Sequence, residues 1–138
     1  MKKLSICAAL LSVATLGLSA CSETQIGQPI TCAEIEQTYI EAGYWVSHIE
    51  PYVDANCCII VSVQENSEDS LYFYFYDTAA QAQKKQEETE WNILIWLFSL
   101  VLGDGGYVTA KTYNNIEYDY SNEDLTKPFE NLIRLKND

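Results

Sequence analysis

The alternation of apolar and polar residues divides the chain into segments of helical and of extended pattern. The first helical segment covers residues 32–42. Thr31 and Glu34 have the spacing of a capping box at its start, and Gly43 is a natural stop after it. Its apolar face repeats at helical spacing: Ile35, Tyr39 and Ile40. This pattern predicts a first helix with one side packed on a core.

Three segments of extended pattern follow, at residues 44–50, 57–64 and 71–77. In the second segment, alternate residues form an apolar face: Cys57, Ile59, Val61 and Val63. In the third segment, one side carries Leu71, Phe73 and Phe75, and the other carries Tyr72, Tyr74 and Tyr76. Successive side chains of a strand point to opposite faces, so we expect the phenylalanine side in the core and the tyrosine side on the outer face. The turn sequence NSED between these two segments predicts an antiparallel hairpin.

A second helix is predicted from Thr78, because Asp77 and Thr78 precede a run of strong helix formers. Its polar stripe extends into the sequence WNILIWLFSLVLG, which begins at Trp91. A single helix over residues 78–102 would be about 37 Å long, whereas a five-stranded sheet is about 20 Å across. The helix is therefore expected to extend beyond the sheet or to break near Asn92. A strand over residues 93–101 is the competing interpretation, because periodicity alone does not exclude it.

The apolar segment 91–102 is too short to cross a membrane. Its continuous apolar part, residues 93–102, has ten residues, where about twenty are needed. Glutamates immediately before it also oppose insertion into hydrocarbon. Three interpretations remain, namely a buried core helix, a contact surface for a partner or a second copy, and shallow insertion at a bilayer surface. The contact residues of the last two would be Trp91, Trp96 and Phe98.

Two further strands are predicted at residues 107–113 and 116–120, after a glycine-rich break at residues 103–106. Asn114 and Asn115 separate them and predict a tight hairpin, because asparagine tolerates a positive φ angle.

The chain ends in a predicted helix that Asn122 caps, and its regular part is expected to begin at Pro128. The apolar face of this helix consists of Leu125, Phe129, Leu132 and Ile133. The resulting order, α-β-β-β-α-β-β-α, needs no parallel crossover. It predicts an α+β domain with an antiparallel sheet of about five strands and two to three helices mainly on one face.

The N-terminus has the pattern of an export signal. Lys2 and Lys3 precede an apolar run over residues 4–18, which is too short for a spanning helix. The sequence LSAC that ends at Cys21 closely resembles the lipobox of bacterial lipoproteins. This resemblance implies export, removal of residues 1–20, lipid on Cys21, and anchoring to the extracytoplasmic side of a membrane. Plain secretion with a chance cysteine is the alternative.

The remaining chain is strongly acidic. Two of the eight Lys and Arg residues lie in the signal, whereas all twenty Asp and Glu residues follow it. A net charge of about −14 repels phosphate backbones, so nucleic acid is not an expected partner. Residues 21–30 are predicted as the lipidated N-terminus and its tether, and residues 31–138 as one domain.

Three cysteines remain besides Cys21. Neighbouring strand residues point to opposite faces, so Cys57 and Cys58 are not expected to bridge each other. Cys57 should face the helix that carries Cys32, which makes these two residues a candidate disulfide. In the other interpretation all three cysteines are reduced. His48 could complete a metal site with the cysteines, but none of the usual zinc spacings is present, so no metal site and no cofactor are predicted.

The lipobox, the segment YFYFYDTAAQAQKK and the final NIEYDYSNEDLTKPFENLI together resemble a group of small bacterial lipoproteins. This group has Tyr/Phe-rich α+β domains, occurs in Gram-positive anaerobes and has an uncharacterised function. The resemblance implies a compact lipoprotein domain and supplies no catalytic residues.

Two functions are compatible with this sequence, and neither is enzymatic. His48 and Glu50 do not complete a catalytic triad, and no serine lies in a GxSxG motif. In the first interpretation the protein is a non-catalytic binding module for a small ligand, a cell-wall glycan or a peptide. Its binding face would carry five tyrosines: Tyr72, Tyr74, Tyr76, Tyr107 and Tyr113. In the second it is an assembly subunit of an envelope complex that uses the apolar segment. Thiol redox chemistry at Cys57 and Cys58 is a third option and requires an exposed thiol of low pKa.

Overall fold

The computed structural model describes residues 26–100 and 109–138, with side chains described outside 92–100. These residues form a five-stranded antiparallel sheet with three α-helices, which confirms the predicted α+β fold and element order. The elements are α1 (Cys32–Glu41), β1 (Trp45–Ile49), β2 (Cys57–Ser62), β3 (Ser70–Phe75), α2 (Ala79–Leu100), β4 (Thr109–Tyr113), β5 (Ile116–Tyr120), a 3-10 helix (Glu123–Thr126) and α3 (Lys127–Asn137).

The strand order is β1-β2-β3-β5-β4, so β3 lies in the middle of the sheet. The predicted hairpin of β2 and β3 is present, with Ile59 opposite Phe73. The predicted hairpin of β4 and β5 is also present, and Asn114 in its turn has a φ of 51°. This positive φ matches the two-residue turns that asparagine favours.

The two faces of the sheet have different coverings. Helices α1 and α3 cover one side, here called the core face, where Phe73 and Ile59 are fully buried. Phe129 of α3 contacts Phe73 at a ring-centroid distance of 4.9 Å and Tyr118 at 5.1 Å. Helix α2 lies on the opposite face, against β4 and β5. Two of the three helices thus share one face, and the third leaves part of the other face open.

Helix α1 begins as the sequence predicts. The Thr31 hydroxyl accepts a hydrogen bond from the Glu34 backbone N–H, and the Glu34 carboxylate accepts one from the Thr31 N–H. Ile35 and Tyr39 are fully buried, but Ile40 is 52% exposed, which corrects its predicted place in the core. Ile40 follows Tyr39 by one residue, a rotation of about 100° around the helix that turns it away from the sheet.

Thr31→Ala is expected to lower the free energy of unfolding by about 1 kcal/mol, because it leaves the Glu34 N–H without its cap. Urea denaturation measures this change. Thr31→Ser keeps the hydroxyl and should stay within a few tenths of a kcal/mol of the parent. Equal losses in both variants would show that the cap does not stabilise the helix.

The segment before α1 is attached to the domain, so the predicted tether over residues 21–30 is too long. Ile30 is buried in the core. Gly27 N–H donates to the Asn114 side chain at 2.9 Å, and the Tyr113 hydroxyl donates to the Gln28 carbonyl at 2.9 Å. An added Cβ on Gly27 would clash with the Tyr113 hydroxyl oxygen. The chain therefore approaches the β4–β5 turn closely from Gly27 onward.

Helix α2 continues through Asn92 to Leu100 without a break. The competing prediction of a strand over residues 93–101 is therefore wrong for residues 93–100, which are helical. The helix is about 33 Å long at 1.5 Å per residue, so it extends beyond the sheet. Among the described residues, no helix combines the length and apolarity that crossing a membrane requires.

Candidate functional site

The open part of the outer face holds a cleft that two of the predicted binding residues line. Ser70, Tyr72 and Tyr74 point to this face because they alternate along β3 with the buried Leu71, Phe73 and Phe75. The cleft has a volume of about 210 Å³. Its lining residues are Glu68, Ser70, Tyr72, Tyr74, Asp119, Tyr120 and Ser121. We call it the tyrosine cleft.

The tyrosine rings of this cleft form a continuous row. Tyr72 and Tyr74 are nearly parallel, with 8° between their planes and 6.2 Å between centroids. Tyr52 from the β1–β2 loop extends the row, at 5.7 Å from Tyr74. The sequence patterns do not predict a role for Tyr52, because an aromatic residue in a loop has no periodicity to assign it to a face. The result is a continuous, partly exposed aromatic surface.

Asp119 places a carboxylate beside these rings. It is paired across the sheet with Tyr72, and directly opposite residues have Cβ atoms about 5 Å apart. Burial, together with the nearby Glu117 carboxylate, raises the pKa of Asp119 to about 7. The sequence predicts no role for Asp119, although its alternation with the buried Tyr118 and Tyr120 would have assigned it to the outer face. A half-buried carboxylate next to aromatic faces is a favourable site for a cation.

Tyr76 does not belong to this open surface. It is only 8% exposed, and its hydroxyl donates to Glu117 at 2.9 Å. Thr89 of α2 donates to the other oxygen of Glu117, also at 2.9 Å. Burial raises the pKa of Glu117, while both hydrogen bonds oppose that shift. Tyr76 and Glu117 thus anchor α2 to the sheet, which corrects the prediction of Tyr76 as a binding residue.

Tyr113 is also misplaced by the sequence prediction, since it is 1% exposed and lies on the core face. The two-residue turn pairs Tyr113 with Ile116. Directly paired residues share a face of the sheet, and Ile116 is fully buried in the core. Tyr113 therefore packs against Phe129 at 5.9 Å.

Several predicted residues have no described environment. Cys21 and Tyr107 lie outside the described residues, as do the side chains of Trp96 and Phe98. Trp91 is described and is 65% exposed. The indole of Trp91 is thus an accessible apolar group at the middle of α2.

A second cluster, of two cysteines and a histidine, lies at the β1 edge of the sheet, on the core face. Cys32 of α1 and Cys57 of β2 form a disulfide, with Cα atoms 6.9 Å apart. His48 of β1 lies beside it, with Nε2 3.4 Å from the Cys57 sulfur. The other ring nitrogen, Nδ1, is 2.8 Å from a Glu36 carboxylate oxygen. No metal site is predicted here from the sequence, because these residues come from three elements and lack a standard zinc spacing.

Cys58 does not have the properties of a redox-active thiol. It points to the outer face, is buried, and has its pKa raised to about 11, chiefly by burial. Reactive thiols are partly exposed and have a lowered pKa. The structure thus contradicts thiol redox chemistry that uses Cys58 as a nucleophile.

Neither the protein-family models nor the curated proteins nor the solved structures include a match to this chain.

Proposed function

We propose that this chain is an exported, lipid-anchored binding module that holds a ligand in the tyrosine cleft without transforming it. The observation that carries this proposal is the row of Tyr72 and Tyr74 beside the half-buried Asp119. The lipobox at Cys21 supports the extracytoplasmic location. A ligand there would come from the cell envelope or its surroundings.

The chemistry of the cleft favours a ligand with a protonated amine on a hydroxylated or apolar body. Aromatic faces carry negative electrostatic potential and attract cations. Asp119 supplies a formal negative charge once it is ionised, and Glu68 at the rim adds a second. Tyrosine rings also offer flat contact area to sugars and peptide side chains, together with hydroxyl groups for hydrogen bonds. Amino sugars of cell-wall glycan and basic peptides meet both requirements.

Glucosamine oligosaccharides and their N-acetylated counterparts are a matched pair of probes, because they share the sugar backbone and differ in whether its nitrogen is a charged amine or a neutral acetamide. We expect the lipid-free chain to bind the charged oligosaccharide and to bind the neutral one at least tenfold more weakly, as measured by isothermal titration calorimetry. Equal affinity for both would contradict cation recognition.

Tyr74→Ala is expected to weaken binding of the charged oligosaccharide at least tenfold, because it removes the ring that contacts both neighbours in the row. Tyr74→Phe keeps the ring and should retain most of the affinity. Circular dichroism of both variants controls for unfolding. Unchanged affinity in a folded Tyr74→Ala variant would exclude the tyrosine cleft as the binding site.

An assembly subunit of an envelope complex is the alternative function, and the 65% exposure of Trp91 favours it. An exposed indole is a common anchor of protein interfaces. Under this alternative, Trp91→Ala would abolish association with the partner or with a second copy in gel filtration, and Tyr74→Ala would leave that association unchanged.

A further inference from the structure

The disulfide at the β1 edge lies within a set of atoms that a thiophilic metal ion could bind. The sulfurs of Cys32 and Cys57 and a ring nitrogen of His48 all lie within 4.8 Å of one another. Zn–S bonds of about 2.3 Å in a tetrahedral site place two sulfurs about 3.8 Å apart. The Cα separation of 6.9 Å leaves room for that spacing once the S–S bond is opened.

Glu36 orients His48 in the way that protein zinc sites orient their histidines. Its carboxylate is 2.8 Å from Nδ1, so it accepts the Nδ1 hydrogen. In the neutral ring Nε2 then keeps its lone pair, and Nε2 is the nitrogen that faces Cys57 at 3.4 Å. A carboxylate on the second nitrogen is the usual partner of a metal-bound histidine, because it fixes the ring and raises its basicity.

Glu50 offers a carboxylate oxygen as the fourth ligand, at the open side of the cluster. Its carboxylate lies 3.4 Å from His48 Nε2, and its side chain is 65% exposed. The side chain of His48 is 27% exposed, so an ion has a path from solvent. Three protein ligands plus a carboxylate or water complete a tetrahedral site.

Opening of the site is a two-electron step. A dithiol reductant gives two electrons and two protons to the Cys32–Cys57 disulfide, which becomes two thiols, while the reductant becomes a disulfide. Zinc then binds the two sulfurs as thiolates and releases the two thiol protons to solvent. The oxidised and the metal-bound forms exclude each other, because the same sulfurs serve both.

We propose that Cys32, Cys57 and His48 form a redox-gated zinc site, in which the disulfide is the closed form and the reduced pair with His48 is the metal-binding form. Glu36 is a positioning residue in this site. The proposal is independent of the tyrosine cleft, which lies on the opposite face of the sheet.

The test titrates zinc chloride into the full chain, before and after reduction by a dithiol that is removed by gel filtration without oxygen. We expect the reduced chain to bind one zinc ion and the oxidised chain to bind at least 100-fold more weakly. Cobalt(II) in place of zinc should give the sulfur-to-cobalt charge-transfer absorption of thiolate ligation. If the reduced chain loses its native circular dichroism, zinc should restore it.

Four variants assign the ligands. Cys32→Ser and His48→Ala should each weaken zinc binding at least 100-fold, and Glu36→Gln should weaken it about 10- to 100-fold. Cys58→Ser is the matched control, because it removes the adjacent buried thiol on the other face and should leave the affinity unchanged. Three results would each overturn the proposal. They are equal zinc affinity in the oxidised and reduced chains, full zinc affinity in Cys32→Ser or His48→Ala, and no zinc uptake by the reduced chain.

Discussion

Phe129→Ala is expected to lower the free energy of unfolding by about 3–5 kcal/mol, the range for deleting a fully buried aromatic side chain. Phe129 is 0% exposed, and its ring contacts those of Phe73, Tyr118 and Tyr113. The alanine would leave a cavity between α3 and the sheet that these rings cannot refill. A domain of this size is stabilised by only about 5–15 kcal/mol in total, so the variant should be close to unfolding at 37 °C.

Urea denaturation followed by circular dichroism measures this loss, and Leu135→Ala in the same helix is the control. Leu135 is 74% exposed, and exposed substitutions usually change stability by less than about 0.5 kcal/mol. A loss below about 1.5 kcal/mol for Phe129→Ala would mean that α3 does not pack on the sheet as described.

Asp119→Asn is expected to raise the free energy of unfolding at pH 8.5 by about 2–4 kcal/mol. Burial and the Glu117 carboxylate raise the pKa of Asp119 from its usual value of 3.8 to about 7. The folded state therefore holds the Asp119 proton more tightly than the unfolded state does. The stabilisation from this proton is fully present below about pH 4 and is lost as the pH rises through about 7. Asparagine is neutral at every pH, so the variant keeps its stability as the pH rises.

The sign of the effect is tested by unfolding both proteins at pH 4 and at pH 8.5. The free energies of unfolding of the parent and of Asp119→Asn should agree within about 1 kcal/mol at pH 4, where Asp119 is protonated in the folded state. They should diverge at pH 8.5. Asp54→Asn changes an exposed carboxylate and is the control for net charge. A difference that is the same at both pH values would show that Asp119 does not titrate as described.

The same substitution separates stability from binding. A cation in the tyrosine cleft needs the ionised carboxylate. Asp119→Asn should therefore weaken binding of the charged oligosaccharide while it stabilises the fold. Residues that carry function often lower stability in this way. We therefore expect the affinity of the parent chain for a lysine-containing peptide, whose amines stay protonated up to about pH 10, to rise between pH 6 and pH 8.

Local sequence patterns were sufficient to predict the fold. The strict alternation from Leu71 to Tyr76 predicted a strand with its phenylalanine side in the core. Asn114 and Asn115 marked a two-residue turn, and Thr31 with Glu34 marked a helix start. Each of these signals depends on residues within about seven positions, where steric rules and hydrogen-bond geometry decide the outcome.

The candidate sites depend on contacts between distant parts of the chain, which periodicity does not encode. Cys32, His48 and Cys57 meet only because α1 crosses the β1–β2 edge. The orientation of Tyr113 depended on its pairing with Ile116, and a register error of one residue reverses every side chain of a strand. Tyr52 joins the aromatic row from a loop, where no rule predicts the direction of a side chain.

The attachment of residues 27–30 to the domain has a consequence for how the domain would sit at a membrane. In a chain anchored at Cys21, only six peptide units separate the lipid-bearing residue from Gly27, and six units span at most about 21 Å. Such a tether would keep Gly27 within about 21 Å of the bilayer surface and would turn the end of the domain that carries Asn114 and Asn137 towards it. A ligand of this protein would then be captured at the membrane surface, not deep within the cell wall.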